Sequence, residues 1–206
     1  MLGCDENGQG TSGGGSDPKN TASYLAFLQE FLADHQIANV VDLGCGDFRV
    51  GNSICWDGIN YGDIEVVESV VNKNLENFRA SNISFQLADG VNYPLPGADL
   101  LICTDVLQHL PFAYIYQIVR QFRQFKYWFI INDVNPITLT CKNKDINKGG
   151  YRQLDLTRKP FRLSGEKIFQ YVSESHTKHV LLVENKDFSY FNSWFYFLSI
   201  VHCELI

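Results

Sequence analysis

Apolar residues recur at helical spacing over residues 21–32, where Tyr24, Leu25, Phe27, Leu28, Phe31 and Leu32 share a stripe. Thr21 stands at the place of an N-cap. A brief apolar run, 39–43, then stops at Gly44, and such a run predicts a buried parallel strand followed by a tight turn. The two periods go on alternating. Residues 61–65, 83–87, 100–103 and 127–131 read as strands. Residues 67–78 read as a helix with Val67, Val70, Val71, Leu75 and Phe78 on one face, and residues 112–125 as another, with Ile115, Ile118, Val119 and Phe122. Strands alternating with helices predict an α/β domain, a mostly parallel sheet with helices on both faces. Residues 168–172 and 179–183 are two more strands with only a polar stretch between them, which predicts an antiparallel edge hairpin and a seven-stranded sheet.

Three stretches break the alternation. Residues 1–20 are rich in Gly, Ser and Asn and are expected to be a flexible arm, leaving 21–206 as one domain. Residues 132–167 show no periodicity, and a stretch of that length in a compact domain is usually functional or disordered. Residues 188–206 are aromatic-rich but broken by Asn192, Ser193, Ser199, His202 and Glu204. A membrane span takes about 20 mostly apolar residues, so packing on the domain is expected there instead.

Composition narrows the class. A hydrophobic share of 45% with 19% charged residues fits a soluble globular chain. A formal net charge of −6 offers nucleic acid no global positive field. Cys4, Cys45, Cys55, Cys103, Cys141 and Cys203 show no metal-ligand spacing, so no metal is expected and the thiols read as reduced, in a cytoplasmic protein. The N-terminus has neither the basic start nor the apolar run of a signal peptide.

The chemistry gathers at predicted strand ends. In Val41-Asp42-Leu43-Gly44-Cys45-Gly46-Asp47 two glycines let the chain turn off the strand and approach a ligand closely. Glu65 closes the second strand, where a carboxylate accepts hydrogen bonds from ribose hydroxyls; Asp63 is the alternative one alternation earlier. Asp89-Gly90 closes the third strand, and Asp89 suits the exocyclic amine of an adenine. A dinucleotide dehydrogenase uses similar logic, but Arg49 occupies its third glycine position. Asp42 and Asp47 are unwelcome beside a pyrophosphate and suit an ammonium.

These motifs carry a resemblance. Asp42-Leu43-Gly44-Cys45-Gly46 resembles the first motif of class I S-adenosylmethionine-dependent methyltransferases, and Tyr61-Gly62-Asp63-Ile64-Glu65-Val66-Val67 the second. Over roughly residues 13–185 the chain is similar to a group of small methyltransferase-like proteins. The shared features are Gly15-Ser16 with Thr21 and Tyr24, Asp105-Val106-Leu107-Gln108-His109-Leu110, and Asn143-Lys144-Asp145-Ile146 before Gly149-Gly150-Tyr151-Arg152. Gln153-Leu154-Asp155-Leu156 departs from that group's Pro-Leu-Asn-Leu, and the resemblance does not cover the chain after Lys186. It implies a Rossmann-like fold, S-adenosylmethionine as cofactor and S-adenosylhomocysteine as product. Asp42, Gly44, Cys45, Gly46, Glu65, Asp89 and Gly90 would then hold the cofactor, with Ser16 and Tyr24 folding over it as a lid.

On the acceptor side, Asp105 follows the fourth strand and reads either as a base or anchor or as the cap of the next turn. His109 reads as a second base or as a structural histidine. A basic loop, 135–167, is expected to bind substrate: residues 142–162 hold seven basic side chains against Asp145 and Asp155, which points to an anionic small-molecule or peptidic acceptor or to a solvated loop. Tyr151 and Arg152 are its expected contacts, Arg152 for its bidentate fork. The competing reading is a catalytically silent binding module with the same fold. No Asn-Pro-Pro-Tyr-type motif follows the fourth strand, which disfavours a nucleic-acid substrate.

Overall fold

The computed structural model describes residues 14–134 and 142–188. Its sheet has the order β3-β2-β1-β4-β5-β7-β6. β1 (Asn39–Leu43), β2 (Asn60–Glu65), β3 (Ile83–Leu87), β4 (Ala98–Thr104) and β5 (Phe125–Asp133) run parallel. β7 (His176–Glu184) pairs antiparallel with both β5 and β6 (Glu166–Ser173), so the expected hairpin forms one edge. This is the mostly parallel, seven-stranded sheet with an antiparallel edge hairpin that the sequence led one to expect. Alternate residues serve opposite faces: Val40, Leu100 and Ile102 join α1 (Pro18–Asp34) in one core, and Val41, Leu101 and Cys103 join α3 (Phe112–Gln121) in the other. Burial on both faces explains why the strands read as continuous apolar runs. α2 (Glu68–Asn77) packs on β3, and α1 packs on β6.

Several boundaries differ from the periodicity. α1 starts at Pro18, capped by Asp17, whose carboxylate accepts from Lys19 N at 3.0 Å. Thr21 is therefore inside the helix, where its hydroxyl donates to Asp17 O. The 112–125 helix stops at Gln121, passes through a 3-10 turn (Phe122–Gln124) and gives way to β5 at Phe125. β5 and β7 outrun their apolar centres: β5 continues through Asn132 and Asp133, and β7 begins at His176 after a tight turn with Glu174 at φ +54°.

Residues 1–13, 135–141 and 189–206 lie outside the described part, and with them Cys4, Cys141, Cys203 and nearly all of the aromatic C-terminal stretch. Among the described residues Cys45, Cys55 and Cys103 are free thiols, no cluster of metal-ligating side chains occurs, and no helix is long and apolar enough to cross a membrane.

Candidate functional site

β1 and β4 are neighbours, yet the chain leaves β1 toward β2 and leaves β4 toward β5. Ligands of open α/β sheets bind where the connections diverge in this way. The turn leaving β1 is held from below. Gly44 and Gly46 take φ values of +83° and +59°, open without strain only to glycine. Cys45 N donates to Asp63 Oδ1 (3.0 Å), and Gly46 N to Glu65 Oε2 (3.3 Å). Asn74 of α2 donates to Gly46 O at 2.8 Å. The two carboxylates of β2 thus set the loop's curvature before any ligand arrives.

Above this loop lies a cavity of about 150 Å³. Asp42, Gly44, Cys45 and Gly46 line one side, and Thr104 and Asp105 another. Ser16, Thr21 and Tyr24 close it from α1 and the turn before it, with Trp56 and Ile54 at the back. Ser173 of β6 secures that roof by donating to Gly15 O at 2.8 Å. The volume is below the ~300–1,000 Å³ of whole small-molecule sites, so the cavity accommodates one end of an extended ligand.

The cavity is acidic at its base. Burial, reinforced by Glu65, raises the Asp42 carboxyl to about 7, although the Tyr61 hydroxyl donates to it at 2.9 Å. Burial and the neighbouring Asp42 likewise raise Asp63. A cation bound here would relieve this mutual destabilisation.

On the other flank two polar clusters meet at the ends of β4, β5 and β7. Asp105 sits at φ +59°, and its Oδ1 accepts from Lys178 Nζ at 2.6 Å. Asp133, fully buried, accepts through Oδ2 from both the Tyr151 hydroxyl and His176 Nδ1, the latter at 2.7 Å.

The structure brings Ser16, Tyr24, Asp42, Gly44, Cys45, Gly46 and Asp105 together around the cavity. Glu65 stands just outside, its Oε1 accepting from Val66 N and Val67 N. Asp89 and Gly90 also lie outside it: Asp89 caps its own turn through Val91 N and Asn92 Nδ2, and Gly90 packs so closely on Leu43 that a Cβ would meet a methyl at 2.5 Å. His109 and Arg152 have anchoring contacts where catalytic and substrate roles were expected. His109 Nδ1 bonds Gly150 O at 2.8 Å. Arg152 is 7% exposed, donates to Leu110 O (2.8 Å) and Leu107 O (3.4 Å), and lies over the Phe112 ring. Its fork fastens the loop to the segment after β4 and does not face solvent. Tyr151 remains half exposed.

Lys178, Asp133 and His176 were not expected from the sequence. Residues 173–178 read as a polar link because their polarity resembles a turn, and Asp133 lies beyond the apolar run of β5. The usable signal was the alternation His176, Lys178, Val180, which continues one face of β7 toward the site.

No protein-family profile matches the chain, and no curated protein matches it in sequence. Solved structures match in fold. The N-methyltransferase NodS from Bradyrhizobium japonicum WM9, in complex with S-adenosyl-L-homocysteine, gives a TM-score of 0.63 at 12% identity, over 82% of this chain and 87% of that one. Magnesium protoporphyrin IX methyltransferase (ChlM) from Synechocystis PCC 6803, with the same compound bound, gives 0.60 at 13% identity, over 83% and 84%. Human N-acetylserotonin methyltransferase (ASMT) in complex with S-adenosylmethionine gives 0.52 at 15% identity over 79% of this chain, which spans 55% of that protein. At such identities the likeness shows a shared class I methyltransferase fold.

Proposed function

We propose that the chain is an S-adenosylmethionine-dependent methyltransferase acting on a small-molecule or peptidic acceptor. The observation that carries this reading is the cavity itself: a twice left-handed glycine turn, a half-buried carboxylate of raised pKa and a roof from α1 meet at the divergence of β1 and β4. The donor set fits the amino-acid end of the cofactor. Asp42 is the partner for its ammonium, and the Gly44–Gly46 turn lets the backbone lie against it. Glu65, at the end of β2 beside Gly46, is the partner for ribose hydroxyls, with Asp89 and Gly90 on the adenine side. Bound there, the cofactor supplies an electrophilic methyl group; the protein's part is to orient it and exclude water. The exposed Lys144, Lys148 and Arg162 keep an anionic group on the acceptor within this reading.

Calorimetry with S-adenosylhomocysteine tests it. Binding with a gain in melting temperature is expected. Glu65→Ala should weaken binding by about 1.5–3 kcal/mol, the range of charge-assisted hydrogen bonds. Equal stabilisation by NAD would overturn the reading. Methyl uptake from labelled cofactor separates an enzyme from a silent module.

A further inference from the structure

We propose that His176 is the base that takes the proton from an acceptor hydroxyl, and that Asp133 positions it for that task. The inference rests on the methyltransferase reading and adds the acceptor class and the proton's destination. Asp133 is 1% exposed at its side chain, and its Oδ2 accepts from His176 Nδ1 at 2.7 Å. A carboxylate only accepts, so the hydrogen of the neutral ring sits on Nδ1 and the lone pair on Nε2. The imidazole is 42% exposed, so that lone pair is reachable.

Strand geometry places this side chain on the face of β7 that turns toward the cavity. His176 and Lys178 alternate onto one face of β7, and Lys178 lines the cavity. Ser173, directly paired with His176 across the hairpin, lines it as well. The neighbouring groups are less suited to the task. Asp105 Oδ1 is taken by Lys178. Tyr151 shares Asp133, and burial and that carboxylate push its pKa up, which keeps its hydroxyl protonated.

The step balances as follows. The acceptor's O–H bond breaks and its proton passes to His176 Nε2. The acceptor oxygen bonds to the methyl carbon of the sulfonium donor, and the electron pair of the broken C–S bond stays on sulfur. The imidazolium, facing buried Asp133, then returns its proton to water. Hydroxyls gain most from such a base, because neutral hydroxyl oxygen is a weak nucleophile.

Two measurements decide. In the first, ring 15N shifts of His176 are read in the whole protein with S-adenosylhomocysteine present. The Nδ1–H form is expected, with a change toward Nε2–H in Asp133→Asn. An Nε2–H ring in the wild type, or no response to Asp133→Asn, overturns the proposal whatever the cofactor does. In the second, methyl uptake from labelled S-adenosylmethionine is followed on phenol, sugar-alcohol, primary-amine, thiol and carboxylate probes. Uptake on a hydroxyl probe should fall about 100-fold or more in His176→Ala, as the loss of a general base implies. Added imidazole should restore part of it, and cofactor affinity should stay unchanged. Asp133→Asn should fall comparably. A large loss in Asp133→Asn without one in His176→Ala would show a loop pin instead of a base and overturn the proposal. So would uptake only on other probes, or none from protein that binds the cofactor. Failure to bind the cofactor at all removes the methyltransferase reading itself.

Discussion

Lys178 Nζ stands 2.6 Å from Asp105 Oδ1, so β7 reaches across β5 to the turn that follows β4. The two partners differ in solvation: the Lys178 side chain is 7% exposed and that of Asp105 36%. Removing the carboxylate strands a buried ammonium, whereas removing the ammonium leaves a carboxylate that water still reaches. Asp105→Ala should therefore destabilise the protein by about 2–3 kcal/mol, and Lys178→Met by about 1 kcal/mol or less. Urea unfolding of both variants checks the order; the reverse order would mean that the pair is effectively solvated.

Asp42 makes stability and cofactor binding depend on pH in opposite senses. Its folded pKa of about 7 lies above the ordinary 3.8. Between those values the native state holds a proton that the unfolded chain has released. The stability from this group is full below the lower value and is lost as pH rises through 7. Thermal melts without ligand should show this slope, and Asp42→Asn should flatten it. If the ammonium of the cofactor needs ionised Asp42, affinity should rise about tenfold per pH unit up to 7. Calorimetry at three pH values would read this directly, and a flat profile would remove Asp42 from the ammonium site.

The two loop glycines should fail differently. A Cβ on Gly44 would lie 2.6 Å from Val106 Cγ2, at φ +83°. Gly44→Ala should cost about 1–3 kcal/mol in stability as well as binding. Gly46, at φ +59°, carries the milder cost of a left-handed residue, about 1–2 kcal/mol. Gly46→Ala should thus stay folded while losing its melting-temperature gain with S-adenosylhomocysteine. A variant that binds normally would show that the backbone does not approach the ligand there.

Arg152→Ala should act on the loop before it acts on the acceptor. Leu110 O loses its Arg152 donor and Leu107 O keeps only Leu110 N, for about 2 kcal/mol. Hydrogen exchange over residues 142–165 should accelerate, and Arg152→Lys should restore only part of the protection, since an ammonium lacks the planar fork. A raised Michaelis constant with unchanged exchange would return Arg152 to the substrate.

The parallel half of the sheet was legible because burial on both faces leaves apolar runs that glycine and proline punctuate. The turn at Gly44–Gly46 was legible because the backbone conformation there demands a residue type. Asp63 and Glu65 were both legible as strand-end carboxylates, and both hold the glycine turn from β2, Asp63 through Cys45 N and Glu65 through Gly46 N. Arg152 misled because its charge says nothing about direction, and its partners are carbonyls that sequence does not display. His176 and Asp133 stayed hidden because polar residues at strand ends look like turns until the pairing partner is known. Their meaning comes from an antiparallel contact between β5 and β7, and register of that kind is set by the whole sheet.

The bond from Ser173 to Gly15 joins residues 158 positions apart. During synthesis, then, α1 leaves the ribosome long before the strand that receives it. A chain halted between the glycine turn and β6 would carry that turn and Asp42 but no Ser173 to fasten the roof, and the part of the α1 stripe that meets β6 would stay uncovered. Cofactor capture should thus wait until β6 has emerged and folded onto the roof, so that ligand stabilises only nascent chains that have passed that point.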